Sequence, residues 1–104
     1  MAASAHIDTF ARDNLPPESL QPSFRFDLPE LRYPERLNAS VELLDRMVEQ
    51  GFAGRPCLIS PVETLTYAEL LARVNRIANV LVRDIGLQPG NRVLLRAANN
   101  PMLS

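Results

Sequence analysis

Lysine is missing from this 104-residue chain, whose 11 basic side chains are all arginine. The chain therefore has no lysine nucleophile, Schiff-base lysine or P-loop lysine of its own. It contains one Cys, one His and no Trp, so an internal disulfide is excluded, and a metal site at His6 would need ligands that the chain lacks. The net charge of −1 argues against nucleic-acid binding, which depends on clustered positive charge.

Long apolar runs are also missing. No run approaches the roughly 20 residues that cross a bilayer, so we expect no membrane partner. The first residues lack the apolar core of a secretory signal and carry Asp8 and Asp13. A single cysteine suits a reducing compartment, and we therefore expect a cytoplasmic location.

Proline is abundant in residues 1–36, which hold five of the nine prolines and no glycine. Because proline blocks long helices and favours extended backbone before it, we predict a proline-rich leader arm here. The arm is too apolar for a solvated tail; its large apolar side chains include Phe24, Phe26, Leu28, Leu31 and Tyr33. Two interpretations stay open: an arm lying on another surface, or a partly ordered loop of the same domain.

A first helix is predicted from Asn38 or Ser40, either of which suits an N-cap, to about Gln50. Gly51 stands where a left-handed C-terminal cap belongs. Glu42 and Arg46 are spaced as a helical ion pair.

A second helix begins at a capping box, in which Thr66 and Glu69 each satisfy an amide at the helix start. Apolar residues then recur at helical spacing as far as Gly86, which is expected to end the helix. They include Leu70, Val74, Ile77, Leu81 and Ile85. The spacing predicts a helix packed on another element.

Strands are predicted on both sides of this helix. Residues 57–60 and 62–65 form short candidates, and Pro89-Gly90 predicts a type II turn before a strand over 92–97. Strand, helix and strand at this spacing predict a parallel, right-handed βαβ unit. The fold class is therefore expected to be α/β.

The end of the chain has the pattern of a helix start, with Asn100 as N-cap and Pro101 as first helical residue. A parallel sheet needs helices on both faces, and one helix is too few. We therefore expect the chain to be truncated, the beginning of a larger α/β protein. The alternative is the frayed C-terminus of a small complete domain.

Few residues are candidates for chemistry. Cys57 lies in an apolar strand candidate and is expected to be a buried structural thiol. Glu69 is assigned to capping. Asn99 and Asn100 follow the carboxyl end of a predicted parallel strand, where ligand crevices form, although capping and loop roles are favoured. The arginines of the second helix are expected to face solvent; they are Arg73, Arg76 and Arg83. No catalytic, cofactor-binding or metal residue is assigned.

Several segments together resemble the N-terminal region of adenylate-forming acyl-CoA synthetases. They are TYAELL at 66–71, VNRIA at 74–78, Leu81 and GLQPGNRVLL at 86–95. Three others are similar to the aromatic acid–CoA ligases, in particular the 2-aminobenzoate and benzoate–CoA ligases: FARDNLPP at 10–17, LRYPERLN at 31–38 and ELLDR at 42–46. Asn91 stands where many members of the family have Asp, and a turn tolerates either residue.

The resemblance implies an enzyme that makes an acyl-adenylate from an aromatic carboxylic acid and ATP, and then a CoA thioester. ATP, Mg²⁺ and CoA are implied for the full-length enzyme. No residue here matches the family's phosphate loop, ribose-binding Asp or catalytic Lys, so no site residue is carried over. The fragment alone is expected to bind no cofactor and to be inactive.

The fold implied is the incomplete start of the family's large N-terminal domain. The leader arm would occupy residues 1–36, and residues 37–104 would be the first part of the AMP-binding domain. Alternatives are a stand-alone protein-interaction module that docks through the arm and the open sheet, and a fragment of a fatty-acyl ligase or of a peptide-synthetase adenylation domain.

Overall fold

A computed structural model of the chain describes residues 5–103. These residues form two units, each with its own internal contacts. Of the described residues, the smaller unit contains 5–37 together with Gln88–Arg92, and the larger contains Asn38–Leu87 together with 93–103. Both helices and strands are present, so the expected α/β class is confirmed.

The first helix of the larger unit covers residues 39–52. The Asn38 Oδ1 atom accepts a hydrogen bond of 3.2 Å from the Val41 amide, whereas the Ser40 side chain makes no capping bond. Of the two candidates, Asn38 is therefore the residue that caps the helix. Wide turns with i to i+5 bonding occupy π1 (Val41–Asp45) and π2 (Val48–Phe52).

The rest of this helix follows the prediction. The Arg46 guanidinium and the Glu42 carboxylate pair at 2.7 Å, one helical turn apart. Gly51 has φ +90°, a left-handed conformation that breaks the helical backbone and is open to glycine without strain.

Two short strands follow, β1 (Pro56–Ile59) and β2 (Thr64–Thr66). They pair antiparallel, with Leu58 opposite Leu65, and the register is interrupted between Pro56 and Leu58. Leu65 is buried at 7% exposure, so β2 turns one side chain into the core. The prediction of two neighbouring short strands is confirmed.

Helix α2 (Tyr67–Asn79) continues directly into a wide turn, π3 (Val80–Asp84), before Gly86. It contacts both strands and both wide turns of the first helix. Within residues 5–103, the apolar side chains that are buried are Leu44 and Leu65. The second helix is thus the element on which the larger unit is assembled, around a small core.

The predicted strand over 92–97, and with it the parallel βαβ unit, is wrong. The sheet of the described residues has two antiparallel strands, and the 91–98 segment belongs to neither a strand nor a helix. Leu94 is 94% exposed. An apolar run favours a covered strand, but a strand forms only where a neighbour supplies hydrogen-bond partners, and β1 pairs with β2 instead.

The predicted helix start after Asn100 appears as a single turn. The Asn100 Oδ1 atom accepts from the Met102 amide at 3.0 Å, and its carbonyl oxygen accepts from the Leu103 amide at 3.0 Å. Asn100 therefore makes the capping contact that its position predicts.

The smaller unit holds short helical turns in its proline-rich part: α1 (Phe10–Asp13) and 3₁₀ turns at Glu18–Leu20 and Pro29–Leu31. Three exposed aromatic rings contact one another. Phe24 and Phe26 stack at 6.2 Å between centroids, and Tyr33 meets Phe26 edge to face at 5.9 Å. Such pairs are favourable beyond the area they bury.

The same unit contains the predicted type II turn. The Asn91 amide donates to the Gln88 carbonyl at 3.0 Å. Gly90 takes φ +95°, the positive angle that a type II turn requires after Pro89.

Candidate functional site

A cleft of about 240 Å³ lies at the carboxyl end of β1, within the larger unit. Its lining residues are Leu58, Ile59, Ser60, Pro61, Asn99, Asn100 and Pro101. The sequence predicted that Asn99 and Asn100 would stand at the carboxyl end of a parallel strand. The structure places both residues beside the end of β1, which is a different strand from the one expected.

Ser60 provides the hydroxyl group of this cleft. The hydroxyl makes its hydrogen bonds to the backbone of the turn between β1 and β2. Its Oγ donates to the Glu63 carbonyl oxygen at 2.9 Å. It also accepts from the amides of Val62 at 3.3 Å and Glu63 at 3.1 Å. A nucleophilic serine needs a base at hydrogen-bond distance, and Ser60 meets backbone groups instead. Its role in the structure is to hold the turn.

The two asparagines give the cleft amide groups and no acid or base. Asn100 uses its Oδ1 atom to cap the turn that follows it. Amides orient polar ligands but do not transfer protons near neutral pH. The cleft can therefore hold a small polar group, and it has no machinery for general acid–base catalysis.

A second cavity, of about 280 Å³, lies between the first helix, β1 and α2. It is lined by Ser40, Leu43, Leu44, Cys57, Leu58, Leu70 and Val74. Cys57 is half-buried rather than buried, because the cavity leaves one side of β1 uncovered. Its neighbours in the cavity include no His, Lys or Arg that would favour a thiolate.

The N-terminus of α2 is closed by the protein itself. The amides of Tyr67 and Ala68 donate to the carbonyls of Arg55 at 3.1 Å and Ala53 at 3.0 Å. Glu69 completes the capping box. A helix N-terminus binds anions through such amides, and here they are already occupied.

The capping box matches the sequence prediction. The Glu69 carboxylate accepts from the Thr66 amide at 2.8 Å, and the Thr66 hydroxyl accepts from the Glu69 amide at 3.3 Å. Hydrogen bonds from the Thr66 amide, then from its hydroxyl, lower the pKa of Glu69 below its usual value. The carboxylate form is the one that the cap holds.

Arg73 departs from the expectation that it faces solvent. Its guanidinium makes two hydrogen bonds to Glu63, at 3.1 and 3.0 Å, and both side chains are about one-third exposed. These hydrogen bonds, and secondarily the opposite charge, lower the pKa of Glu63 and raise that of Arg73. The pair ties the turn between β1 and β2 to α2. The sequence carried no signal for it, because ten residues separate the partners.

Residues 5–103 contain neither a candidate metal-binding cluster nor a candidate membrane span. No cluster of three or more His, Cys, Asp or Glu side chains is placed to hold a metal ion. Every helix there is too short or too polar to cross a bilayer.

Known proteins resemble a part of this chain. Residues 45–103 match a family described as AMP-binding enzyme. Benzoate–CoA ligase of Thauera aromatica is 40% identical over 67 residues, which are 64% of this chain and 13% of the ligase. Acetyl-coenzyme A synthetase of Burkholderia lata is 45% identical over 64 residues, which are 57% of this chain and 10% of that enzyme.

A third relative is the 4-hydroxybenzoate–CoA/benzoate–CoA ligase of Rhodopseudomonas palustris, 38% identical over 58 residues, or 56% of this chain and 11% of the ligase. The matches thus span about a tenth of each relative's length. No solved structure matches the chain significantly. The family match covers more than half of the chain and includes the TYAELL and GLQPGNRVLL segments. This chain therefore belongs to the family of AMP-binding enzymes, to which adenylate-forming acyl-CoA synthetases belong.

Proposed function

We propose that this chain is the N-terminal part of an AMP-forming aromatic acid–CoA ligase. The observation that supports the proposal most is the family match over residues 45–103. Two of the three relatives described above are named as ligases of benzoate or 4-hydroxybenzoate. The segments at 10–17 and 31–38, which precede the family match, resemble the same group of ligases.

The reaction proposed for the whole enzyme has two steps. The carboxylate of the acid attacks the α-phosphorus of ATP, which gives an acyl-adenylate and pyrophosphate, and the CoA thiolate then displaces AMP. The first step needs positive charge placed against the reacting phosphate. Mg²⁺ bound with ATP would contribute such charge.

Within this enzyme we propose a structural role for the chain. Its elements are fixed by contacts among themselves: the capping box at Thr66, the Glu63–Arg73 pair and the Ser60 turn. The cleft beside β1 contains side-chain amides and the Ser60 hydroxyl, which is hydrogen-bonded to the Glu63 carbonyl. The chain has no lysine. We therefore propose that the chain alone forms no acyl-adenylate and binds no ATP, Mg²⁺ or CoA.

We also propose the domain limits expected from composition. Residues 1–36 would be an arm, and residues 37–104 the first part of the AMP-binding domain. The family match, which begins at residue 45, is compatible with this boundary. A cytoplasmic location is part of the proposal.

A second candidate is a ligase of acetate. It is supported by the acetyl-coenzyme A synthetase of Burkholderia lata, which has 45% identity to this chain over 64 residues. Aromatic acids, 2-aminobenzoate included, remain the first candidate because the arm segments resemble their ligases.

The test is ATP–pyrophosphate exchange by the protein that the complete reading frame encodes, with benzoate, 2-aminobenzoate and acetate supplied separately. We expect exchange with one of the two aromatic acids and at least about tenfold less with acetate, a difference of 1.4 kcal/mol. Preference for acetate would support the second candidate. A genuine stop after Ser104, with no phosphate loop encoded downstream, would exclude a ligase.

The chain of residues 1–104 is the matched control in this assay. We expect it to give no exchange above the blank with any of the three acids. Measurable exchange by this chain alone would contradict its proposed structural role, whichever acid the complete protein prefers.

A further inference from the structure

The segment of residues 6–13, here called the strap, lies on the type II turn of Gln88–Arg92, here called the seat. Both belong to the same compact unit. The amides of Ile7 and Asp8 both donate to the carbonyl oxygen of Pro89, at 2.9 and 3.0 Å. In the seat this carbonyl is not used by the turn's own hydrogen bond, which runs from Asn91 to Gln88. Two consecutive strap amides thus bind one acceptor that the turn leaves available.

The Asp8 carboxylate makes further polar contacts with the seat. One oxygen accepts from the Asn91 side-chain amide at 2.9 Å and from the Arg92 guanidinium at 3.2 Å. The other accepts from the Phe10 amide at 3.0 Å. Hydrogen bonds from Phe10 and Asn91, with the charge of Arg92, lower the pKa of Asp8. These contacts therefore stabilise the carboxylate form of Asp8.

An aromatic side chain supplies the apolar contact. The Arg92 guanidinium lies over the Phe10 ring, 4.4 Å from its centroid, in cation–π geometry. Arg92 thus contacts the strap twice, through the Asp8 carboxylate and through the ring. The side-chain contacts with the seat thus come from a carboxylate and from an aromatic ring two positions after it.

Gly90 is required by this contact for a second reason besides its φ of +95°. A Cβ atom at this position would overlap the carbonyl oxygen of Asp8 and lie 2.9 Å from its carbonyl carbon. A Cβ on Gly51, which has a nearly equal φ of +90°, would meet nothing within 4 Å. Both glycines have a positive φ. Of the two, only Gly90 lies so close to the strap that a Cβ atom would overlap it.

The strap is held by polar contacts at the surface and not by a core. Ile7 is 67% exposed and Phe10 is 56% exposed. The Asp8–Arg92 ion pair also reaches solvent. Segments with few buried apolar contacts open locally at a lower free energy than the elements around a core. The strap should therefore open while α2 stays folded.

We propose that residues 6–13 are a reversible intramolecular strap and that Gln88–Arg92 is a peptide-recognition seat for an Asp-x-Phe segment, filled by the chain's own N-terminal segment. Closure immobilises the type II turn. Opening releases the Pro89 carbonyl, the Asn91 amide and the Arg92 guanidinium together. The proposal does not depend on the acid that a complete ligase would activate.

The test is amide hydrogen exchange, followed by NMR in the full chain and in variants. In the unmodified chain we expect the Ile7 and Asp8 amides to be protected, but to exchange faster than Val74 in the middle of α2. Gly90→Ala should speed exchange at Ile7 and Asp8 by about tenfold or more. It should also remove the upfield ring-current shift of the Arg92 side-chain protons by Phe10.

Two matched controls separate the strap from general destabilisation. Gly51→Ala adds a methyl group at a similar φ and should leave Ile7 and Asp8 protected. Asp8→Asn should speed their exchange severalfold, because the charged acceptor for Arg92 is lost. Asp13→Asn makes the same charge change within the strap and should not, because its carboxylate bonds to Thr9 and not to the seat.

Four results would overturn the proposal. They are unprotected Ile7 and Asp8 amides in the unmodified chain, protection that survives Gly90→Ala, exchange at the same rate as Val74, and protection that rises with protein concentration. The third would show that the strap opens only on global unfolding. The fourth would show that the strap of a second copy fills the seat.

Discussion

Leu44 and Leu43 are adjacent on the first helix, yet only one of them is part of the core. Leu44 is 6% exposed and Leu43 is 73% exposed. Removing a buried leucine side chain loses its transfer free energy and leaves a cavity. The same truncation at a solvated position costs little. Comparing truncations of Leu44 and Leu43 therefore tests how much the small core contributes to the stability of the larger unit.

We predict that Leu44→Ala lowers the free energy of unfolding by about 2–5 kcal/mol. Leu43→Ala should stay within about 0.5 kcal/mol of the unmodified chain. Helical circular dichroism against urea concentration measures both. Because marginal domains have little stability to lose, Leu44→Ala should unfold at a clearly lower urea concentration than the unmodified chain. Equal losses in the two variants would show that the burial of Leu44 does not stabilise the unit.

Pairs of residues could be predicted from the sequence where the contact is local. Glu42 and Arg46 are one helical turn apart, and Asn38 lies directly before its helix, so backbone geometry alone brings these groups together. The Glu63–Arg73 pair was missed for the opposite reason. Its geometry depends on how the turn between the strands lies against α2, and no local spacing specifies that.

Thr66 fixes where α2 begins, since its side chain makes the cap and its amide donates a hydrogen bond to the Glu69 carboxylate. Truncating an N-cap threonine leaves a helix amide without its acceptor. We predict that Thr66→Ala lowers the free energy of unfolding by about 1 kcal/mol. Thr66→Ser should retain most of the stability because it keeps the hydroxyl.

Urea unfolding of both variants at neutral pH measures this effect. Glu69 has a lowered pKa, so its contribution is present above its usual value near 4.5 and is lost as the pH falls through the lowered value. Both variants keep the Thr66 amide that donates to Glu69, but only the serine variant keeps a hydroxyl that donates to it. The difference between the two variants should therefore shrink only in part in strong acid, since the bond from the Glu69 amide to the hydroxyl does not titrate. Equal stability of the two variants at neutral pH would show that the capping bond contributes nothing.

Helices and strands could be predicted where one short segment contained every residue pattern that specifies them. Helix α2 has its cap, its apolar spacing and its terminating Gly86 within about twenty residues of sequence, and the structure confirms it. The run of Val93, Leu94 and Leu95 has the apolar character of a strand. It lacks a ladder partner among the described residues, and a partner is what a single segment cannot specify.

At the scale of the molecule, sequence motifs predicted membership of the acyl-CoA synthetase family, and the family match over residues 45–103 confirms it. The candidate site was less predictable. Asn99 and Asn100 do lie in a cleft, but beside β1, because the sheet pairs differently from the expected order. The strap and seat are separated by about eighty residues of chain, and neither segment alone signals the other.

Several large apolar side chains of the larger unit are exposed. They include Ile77, Val80, Val82, Ile85, Leu94 and Leu95. Contiguous exposed apolar surface promotes association, and unpaired backbone in an extended segment adds hydrogen-bonding groups that a second chain can meet. With few buried residues to oppose this tendency, the chain expressed alone should unfold with poor cooperativity and should aggregate.

We predict that Leu94→Glu reduces aggregation without lowering the free energy of unfolding. Leu94 is 94% exposed, so its side chain contributes almost nothing to the core and the new charge remains solvated. Light scattering against protein concentration measures the association, and urea unfolding measures the stability.

Asn99→Asp is the matched control, because it makes the same change in net charge at an exposed polar position. If association is driven by the apolar surface, Leu94→Glu should reduce scattering clearly more than Asn99→Asp does. Equal effects would assign the change to net charge, and a sharp, concentration-independent urea transition in the unmodified chain would contradict aggregation through this surface.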